Sequence, residues 1–418
     1  MKRLLACLPR SRLFQQSGVL FLGQVGASIP AYLFSVLVAR LLGPADFGTL
    51  AVSVTLVQIL GRASGPLLWV MTNVAATFIA SGEPGKLRYF VTWTLRRLVA
   101  LTLVTLAPVM LLYLLGNWLR LPSAVLVILT WFWFAAQLML LLARGVQQGL
   151  QWFSAVAFNL TLEAVLRLCI GLALIYAGWQ VNGALVGYGM GSALAALLAF
   201  ILIYRRLPHP PPDTHVQVRS LYRFSAQAAA AAWCFAVLSN VDFIAVKHFL
   251  SATDAGLYAA IQLFGLIALM VFSALYTVMF SAVSSSHARG DAMVFLFRRV
   301  LLLVIGLGIA AVALCAMLAK PLIVYTVGAQ YAQAAPFLVW YMTATVLLSL
   351  VMVINLFYLA RREGHFIPPL VLGTILLVGL LLVYHSRVEA VLLDINLAYG
   401  LTVLAYVAQS VRLGRYAR

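Results

Sequence analysis

Apolar residues run along this chain in long unbroken stretches, and the polar residues gather in short knots between them. A hydrocarbon core of ~30 Å needs ~20 apolar residues per helix. Twelve stretches approach or exceed that length, over about 17–41, 46–70, 89–116, 122–144, 152–177, 182–204, 222–247, 255–282, 293–319, 333–359, 366–384 and 389–411. Apolar and polar residues do not alternate over the ~10-residue segments that a membrane barrel strand requires, so a barrel is excluded. The pattern predicts an all-α integral membrane protein of about 12 transmembrane helices.

Two of the polar knots carry the same message. Leu42-Gly43-Pro44-Ala45-Asp46-Phe47-Gly48-Thr49-Leu50-Ala51 is echoed by Leu250-Ser251-Ala252-Thr253-Asp254-Ala255-Gly256-Leu257-Tyr258-Ala259, with aspartate on aspartate and glycine on glycine. Further echoes keep the order: Arg96-Arg97-Leu98-Val99 with Arg298-Arg299-Val300-Leu301, and Leu142-Ala143-Arg144 with Leu359-Ala360-Arg361. These repeats predict two pseudo-twofold-related six-helix bundles around a central cavity, the plan of proteins that expose one site to either side of a membrane in turn. The N-terminal lobe is expected over 1–206 and the C-terminal lobe over 221–418. Between them, 207–220 continues the polar, Pro-rich run that begins at Arg205-Arg206 and reads as a cytoplasmic linker.

Composition agrees, with 64% hydrophobic residues, 9% charged residues and a mean hydropathy of +1.04. A formal net charge of +18 raises the question of nucleic acid. The placement of the charge answers it. With both termini on one side, 21 of the 28 Lys and Arg residues fall on that side, Arg144 among them. The opposite loops hold Arg40, Arg120, Lys247, Lys320 and Arg387, and Arg62 and Arg167 lie within spans. This is the bias of the positive-inside rule, with both termini cytoplasmic, and it leaves no nucleic-acid partner to expect. The N-terminus reads as a basic interfacial lead-in rather than a cleavable signal, because Arg10 and Arg12 interrupt its short apolar stretch.

Several chemistries drop out. The chain has no phosphate-binding P-loop, its cysteines Cys7, Cys169, Cys234 and Cys315 are isolated, and its six histidines lack metal-ligand spacing, so neither a metal nor a cofactor is expected. Gly183, Gly187 and Gly191 recur every four residues and read as a close helix-packing face. Ionisable groups at membrane depth remain. They are costly there, at ~2.5–3.5 kcal/mol each on insertion scales, and so face protein or water.

In the fifth span Asn159, Glu163 and Arg167 follow each other at four-residue steps, and Glu163 and Arg167 form a favourable i,i+4 pair. That spacing suits either a self-neutralising pair or a cavity wall whose arginine meets an anion. The second span places Thr55, Gln58, Arg62, Gly65, Trp69 and Asn73 along one helix face, and Arg62, with no acidic neighbour on its own helix, has either a structural hydrogen-bonding role or a ligand to meet. A guanidinium offers paired donors and stays charged, which suits a diphosphate. Gln24, Ser28 and Ser35 add polar groups around an expected kink at Pro30. The candidate substrate-binding residues are Arg62, Arg167, Gln58, Asn73, Gln24 and Asn159. Asp242 and Asp394, with Glu163, are candidates for coupling to a Na+ or H+ gradient or for structural pairing, Asp242 with Lys247.

The segment Leu37-Val38-Ala39-Arg40-Leu41-Leu42-Gly43-Pro44-Ala45-Asp46-Phe47-Gly48 resembles the first hairpin of bacterial polysaccharide exporters, the O-antigen and exopolysaccharide flippases of the multidrug/oligosaccharidyl-lipid/polysaccharide superfamily. Asp242 through Leu250 with Asp254-Ala255-Gly256-Leu257-Tyr258, and Gly328 through Leu338, are similar to later junctions of that family. The resemblance implies a V-shaped transporter of two six-helix bundles. It would carry undecaprenyl-diphosphate-linked glycan across the bacterial inner membrane by alternating access, with the lipid tail in the bilayer. It also implies cationic cavity residues that meet the diphosphate, for which Arg62 and Arg167 are the available positions, and polysaccharide polymerase and chain-length proteins as partners. With twelve spans, the two extra helices of lipid II flippases are not expected. Two alternatives stay open: a cation-coupled multidrug or metabolite antiporter of the same superfamily, and a membrane glycan polymerase or ligase.

Overall fold

The computed structural model describes residues 10–116, 121–209, 233–285, 290–360 and 367–416, and the regular elements among them are all helical. In chain order they are α1 (Arg10–Ala63), α2 (Gly65–Ala80), α3 (Pro84–Gly116), α4 (Ala124–Gly149), α5 (Phe153–Leu174), a π-helical turn (Ile175–Trp179) and α6 (Gln180–Arg206). After a short helical stretch over 233–238 come α7 (Val241–Phe249), α8 (Ala252–Ser285), α9 (Gly290–Thr326), a 3-10 turn (Ala329–Ala334), α10 (Ala335–Ala360), α11 (Ile367–Val383) and α12 (Val388–Tyr416). Eight helices among the described residues are long and apolar enough to cross a membrane, and Gly65–Ala80 and Ile367–Val383 are shorter apolar helices. The protein is a multi-pass membrane protein.

Helix breaks fall where backbone chemistry demands them. At Gly43 in α1, φ is 78° and ψ is 171°, a conformation open essentially to glycine alone, and Pro44 follows. Helical dihedrals continue through Pro30, and the Ser28 and Ser35 hydroxyls bond to their own helix at the Gln24 and Ala31 carbonyls. The expected single span over 46–70 is interrupted instead at Ser64. Pro66 has no N–H for the Arg62 carbonyl one turn back, and α2 restarts around it.

The described residues form two compact units, one drawn from 1–41 and 56–232, the other from 42–55 and 233–418. The segment 42–55 was expected in the first lobe and packs instead with the second unit. The expected linker over 207–220 lies outside the described residues, apart from 207–209.

In the first unit, Met71, Val74, Leu87, Phe90, Leu140, Leu142, Val146, Ala199 and Ile203 form a buried core shared by α2, α3, α4 and α6. In the second unit the two copies of the repeated motif meet. A Cβ on Gly48 would stand 2.7 Å from the Gly256 nitrogen, and one on Gly256 would overlap the Pro44 carbonyl. The shared Asp-x-Gly spacing therefore marks a backbone crossing that tolerates no side chain. Ser251 caps α8 here, accepting from the Asp254 N–H at 3.0 Å and donating to its carboxylate at 2.7 Å. The arginine echo also has a structural counterpart. Arg97 stacks on Trp93 at 3.9 Å and Arg299 on Phe295 at 4.2 Å, each on the ring four residues before it.

Candidate functional site

The glycine face of α6 brings α5 against it in antiparallel register. A Cβ on Gly187 would come within 2.5 Å of the Gly171 Cα, and one on Gly191 within 3.0 Å of both the Arg167 nitrogen and the Glu163 carbonyl. The packing face expected from the four-residue glycine spacing is thus the surface on which Glu163 and Arg167 are mounted.

Glu163 is buried and fully engaged. Its Oε1 accepts from Gln137 Nε2 at 2.8 Å and from Ser192 Oγ at 2.9 Å, and its Oε2 accepts from Arg144 Nη2 at 2.7 Å. Arg144 also donates through Nε to Asn159 Oδ1 at 2.8 Å, and Asn159 donates to the Ala195 carbonyl of α6 at 2.7 Å. One network therefore joins α4, α5 and α6. The ion pair expected between Glu163 and Arg167 is made with Arg144, both side chains being only 13% and 12% exposed. Long side chains on a helix lean toward its N-terminus, which carries Glu163 toward Asn159 and Arg144. Asn159, expected at the substrate, holds Arg144 and α6 instead and is 2% exposed.

Arg167 is left in a different position. Its guanidinium lies 4.8 Å from the centre of the Tyr188 ring, which packs against Trp133 at 4.2 Å and Phe34 at 5.3 Å. Its Nε is buried without a hydrogen-bond acceptor. Two guanidinium groups thus stand beside one carboxylate whose oxygens are already bonded. A buried donor left unmade costs about 1–3 kcal/mol. An anion with several oxygens would satisfy it and balance the surplus charge.

The remaining candidates of this unit are spread along α1 and α2. Arg62 is half-buried in the last turn of α1, Gln58 is half-buried one turn earlier, and Gln24 and Asn73 are exposed. The expected polar stripe is not uniform, since Thr55 is buried while Trp69 and Asn73 face outward. Arg144, which the charge count places on the cytoplasmic side, is with Gln137 and Ser192 a residue of this network that the sequence reading does not single out. Gln137 and Arg144, seven residues apart, share one face of α4, which is the signal that could have found it.

In the second unit Asp242, 2% exposed in the first turn of α7, accepts from the Tyr258 hydroxyl at 2.7 Å through Oδ2, and the Gln262 side chain also bonds to its carboxylate. The Lys247 ammonium donates to Thr49 at 3.1 Å. Asp394 of α12 is 6% exposed, with Oδ2 buried and unpartnered. Tyr399 closes this region by donating to the Leu238 carbonyl at 2.6 Å. No group of three or more metal-ligating side chains occurs among the described residues.

No curated protein matches this chain in sequence. Among solved structures, an inward-facing multidrug resistance MATE family transporter of the MOP superfamily matches with a TM-score of 0.71 at 13% identity, over 94% of this chain and 98% of its own. The lipid II flippase MurJ in an inward closed conformation matches with a TM-score of 0.71 at 13% identity, over 92% and 86%. A Vibrio cholerae MATE transporter matches with a TM-score of 0.66 at 15% identity, over 97% of each chain. At such identities the likeness is one of fold, and it gives this protein the helical transporter fold of that superfamily. Residues 13–287, well over half of the 418, match the family described as polysaccharide biosynthesis protein, and the chain belongs to that family.

Proposed function

We propose that this protein is a flippase that moves an undecaprenyl-diphosphate-linked oligosaccharide or polysaccharide precursor across the bacterial inner membrane by alternating access, with both termini cytoplasmic. The observation that carries the reading is the cationic surplus of the first unit. Arg144 occupies the Glu163 carboxylate, and Arg167 keeps a buried donor without an acceptor. A diphosphate supplies the oxygens that this donor lacks, in the geometry a guanidinium prefers. Arg62, half-buried in the same unit, is the second cation assigned to the substrate. Family membership and the flippase among the structural neighbours support the same substrate class. Asp242 is the group assigned to Na+ or H+ coupling, since it is a carboxylate only 2% exposed in a chain that spans a membrane. Polymerase and chain-length proteins are the partners this role calls for.

The experiment is reconstitution of the purified protein in proteoliposomes with a fluorescent polyprenyl-diphosphate glycan in the outer leaflet. Arg167→Ala should abolish translocation while the protein still inserts. Unchanged translocation by that variant would remove the anion site. A second reading, a cation-coupled multidrug antiporter, is favoured by the MATE transporters among the neighbours and by the buried acids of the second unit. Drug resistance on overexpression, with surface glycan intact on deletion, would select it.

A further inference from the structure

Beside the break between α1 and α2 the first unit has a hollow of about 360 Å³, bounded by Ala63, Ser64 and Leu67, by Leu98 to Thr105 of α3, and by Trp131, Phe134 and Leu138 of α4. Every polar group in its wall that bears a hydrogen is bonded to backbone. Ser64 donates to the Leu60 carbonyl at 2.7 Å, Thr102 to Val99 at 2.9 Å, Thr105 to Leu101 at 2.6 Å, and the Trp131 indole to the Thr102 carbonyl at 2.9 Å. What the hollow presents is hydrocarbon, backed by the Trp131 and Phe134 rings 5.2 Å apart. A polar ligand would find no donor there, whereas a hydrocarbon chain loses nothing by entering.

Two cations precede the hollow along α3, Arg96 and Arg97, the latter with its guanidinium over the Trp93 ring at 3.9 Å. Leu101, on the rim, is 55% exposed, and Arg97 lies four residues before it on the same face of α3. Arg96 and Arg97 are both exposed, in the N-terminal half of α3, which the distribution of basic residues assigns to the cytoplasmic side. An apolar slot that begins one helical turn from two arginines fits a lipid with an anionic head group and a single long chain. Within the flippase reading, on which this step rests, that lipid is the substrate itself. We propose that the hollow between α2, α3 and α4 is a loading site that seats part of the prenyl chain of the lipid-linked substrate, with its diphosphate at Arg96 and Arg97.

The test uses the full chain in phosphatidylcholine nanodiscs and a polyprenyl diphosphate bearing a diazirine within its first isoprene units. Photolysis should label peptides holding residues 98–105 and 131–138. Leu101→Trp should lower that labelling about tenfold by filling the slot, and Leu98→Trp on the same wall provides a second filled slot if the first fails to insert. Arg96→Ala with Arg97→Ala should weaken it several-fold. Labelling that persists in both tryptophan variants, or that falls outside these segments, overturns the proposal. So does equal labelling by a photoreactive phosphatidylglycerol that the prenyl diphosphate fails to displace, because bulk lipid then fills the hollow. Parallel glycan translocation by the wild type separates the two readings: transport without slot labelling sinks the loading site alone, and slot labelling without transport sinks the flippase.

Discussion

A single carboxylate, Glu163, organises the charge where α4, α5 and α6 meet. Removing one partner of a buried ion pair leaves the other charge uncompensated, at a cost of about 3–5 kcal/mol. Arg144→Ala should therefore lower the thermal stability of the detergent-solubilised protein strongly, whereas Arg144→Met combined with Glu163→Leu should recover most of the loss. Equal destabilisation by the single and double variants would show that the pair does not act as a unit. Arg167→Ala removes a cation whose Nε has no acceptor, so its stability should stay within about 1 kcal/mol of wild type. Unfolding of that variant on purification would place Arg167 in the structural framework instead. The polar spacing on α5 was legible as a charged face, but the choice of partner was not. Which arginine reaches Glu163 depends on how α4 packs across α5, and no spacing along one helix encodes that.

Helices follow the apolar runs closely, because a chain in hydrocarbon has to satisfy its backbone internally. Breaks were legible where one residue dictates them. Gly43 and Gly328 both hold a positive φ with an extended ψ, and Gly43→Ala should cost about 1–3 kcal/mol, read as a lower melting temperature. Glycine spacing likewise announced the α5–α6 crossing. Gly187→Leu should separate the two helices and disorder Glu163 and Arg167 together, so that insertion or translocation is lost; wild-type function in that variant would mean the crossing is not needed. Proline was the poorer guide, since it leaves α1 helical at Pro30 and breaks the next span at Pro66.

At the scale of the molecule, the internal repeat was legible, and the assignment of 42–55 to the second unit was not. That segment is held by contacts some two hundred residues away, such as Thr49 with Lys247 and Gly48 with Gly256. Asp242, held by the Tyr258 hydroxyl, is the group proposed for the coupling step. Asp242→Asn should leave substrate labelling intact and abolish the dependence of transport on an imposed Na+ or H+ gradient. A gradient dependence that survives the change would move coupling elsewhere. The measurement that bears most directly on the whole account is translocation of a polyprenyl-diphosphate glycan in proteoliposomes by wild-type protein and by Arg167→Ala. Rapid transfer by the wild type and none by the variant is the predicted result, and equal transfer by both, or transfer by neither while drugs are exported, would contradict it.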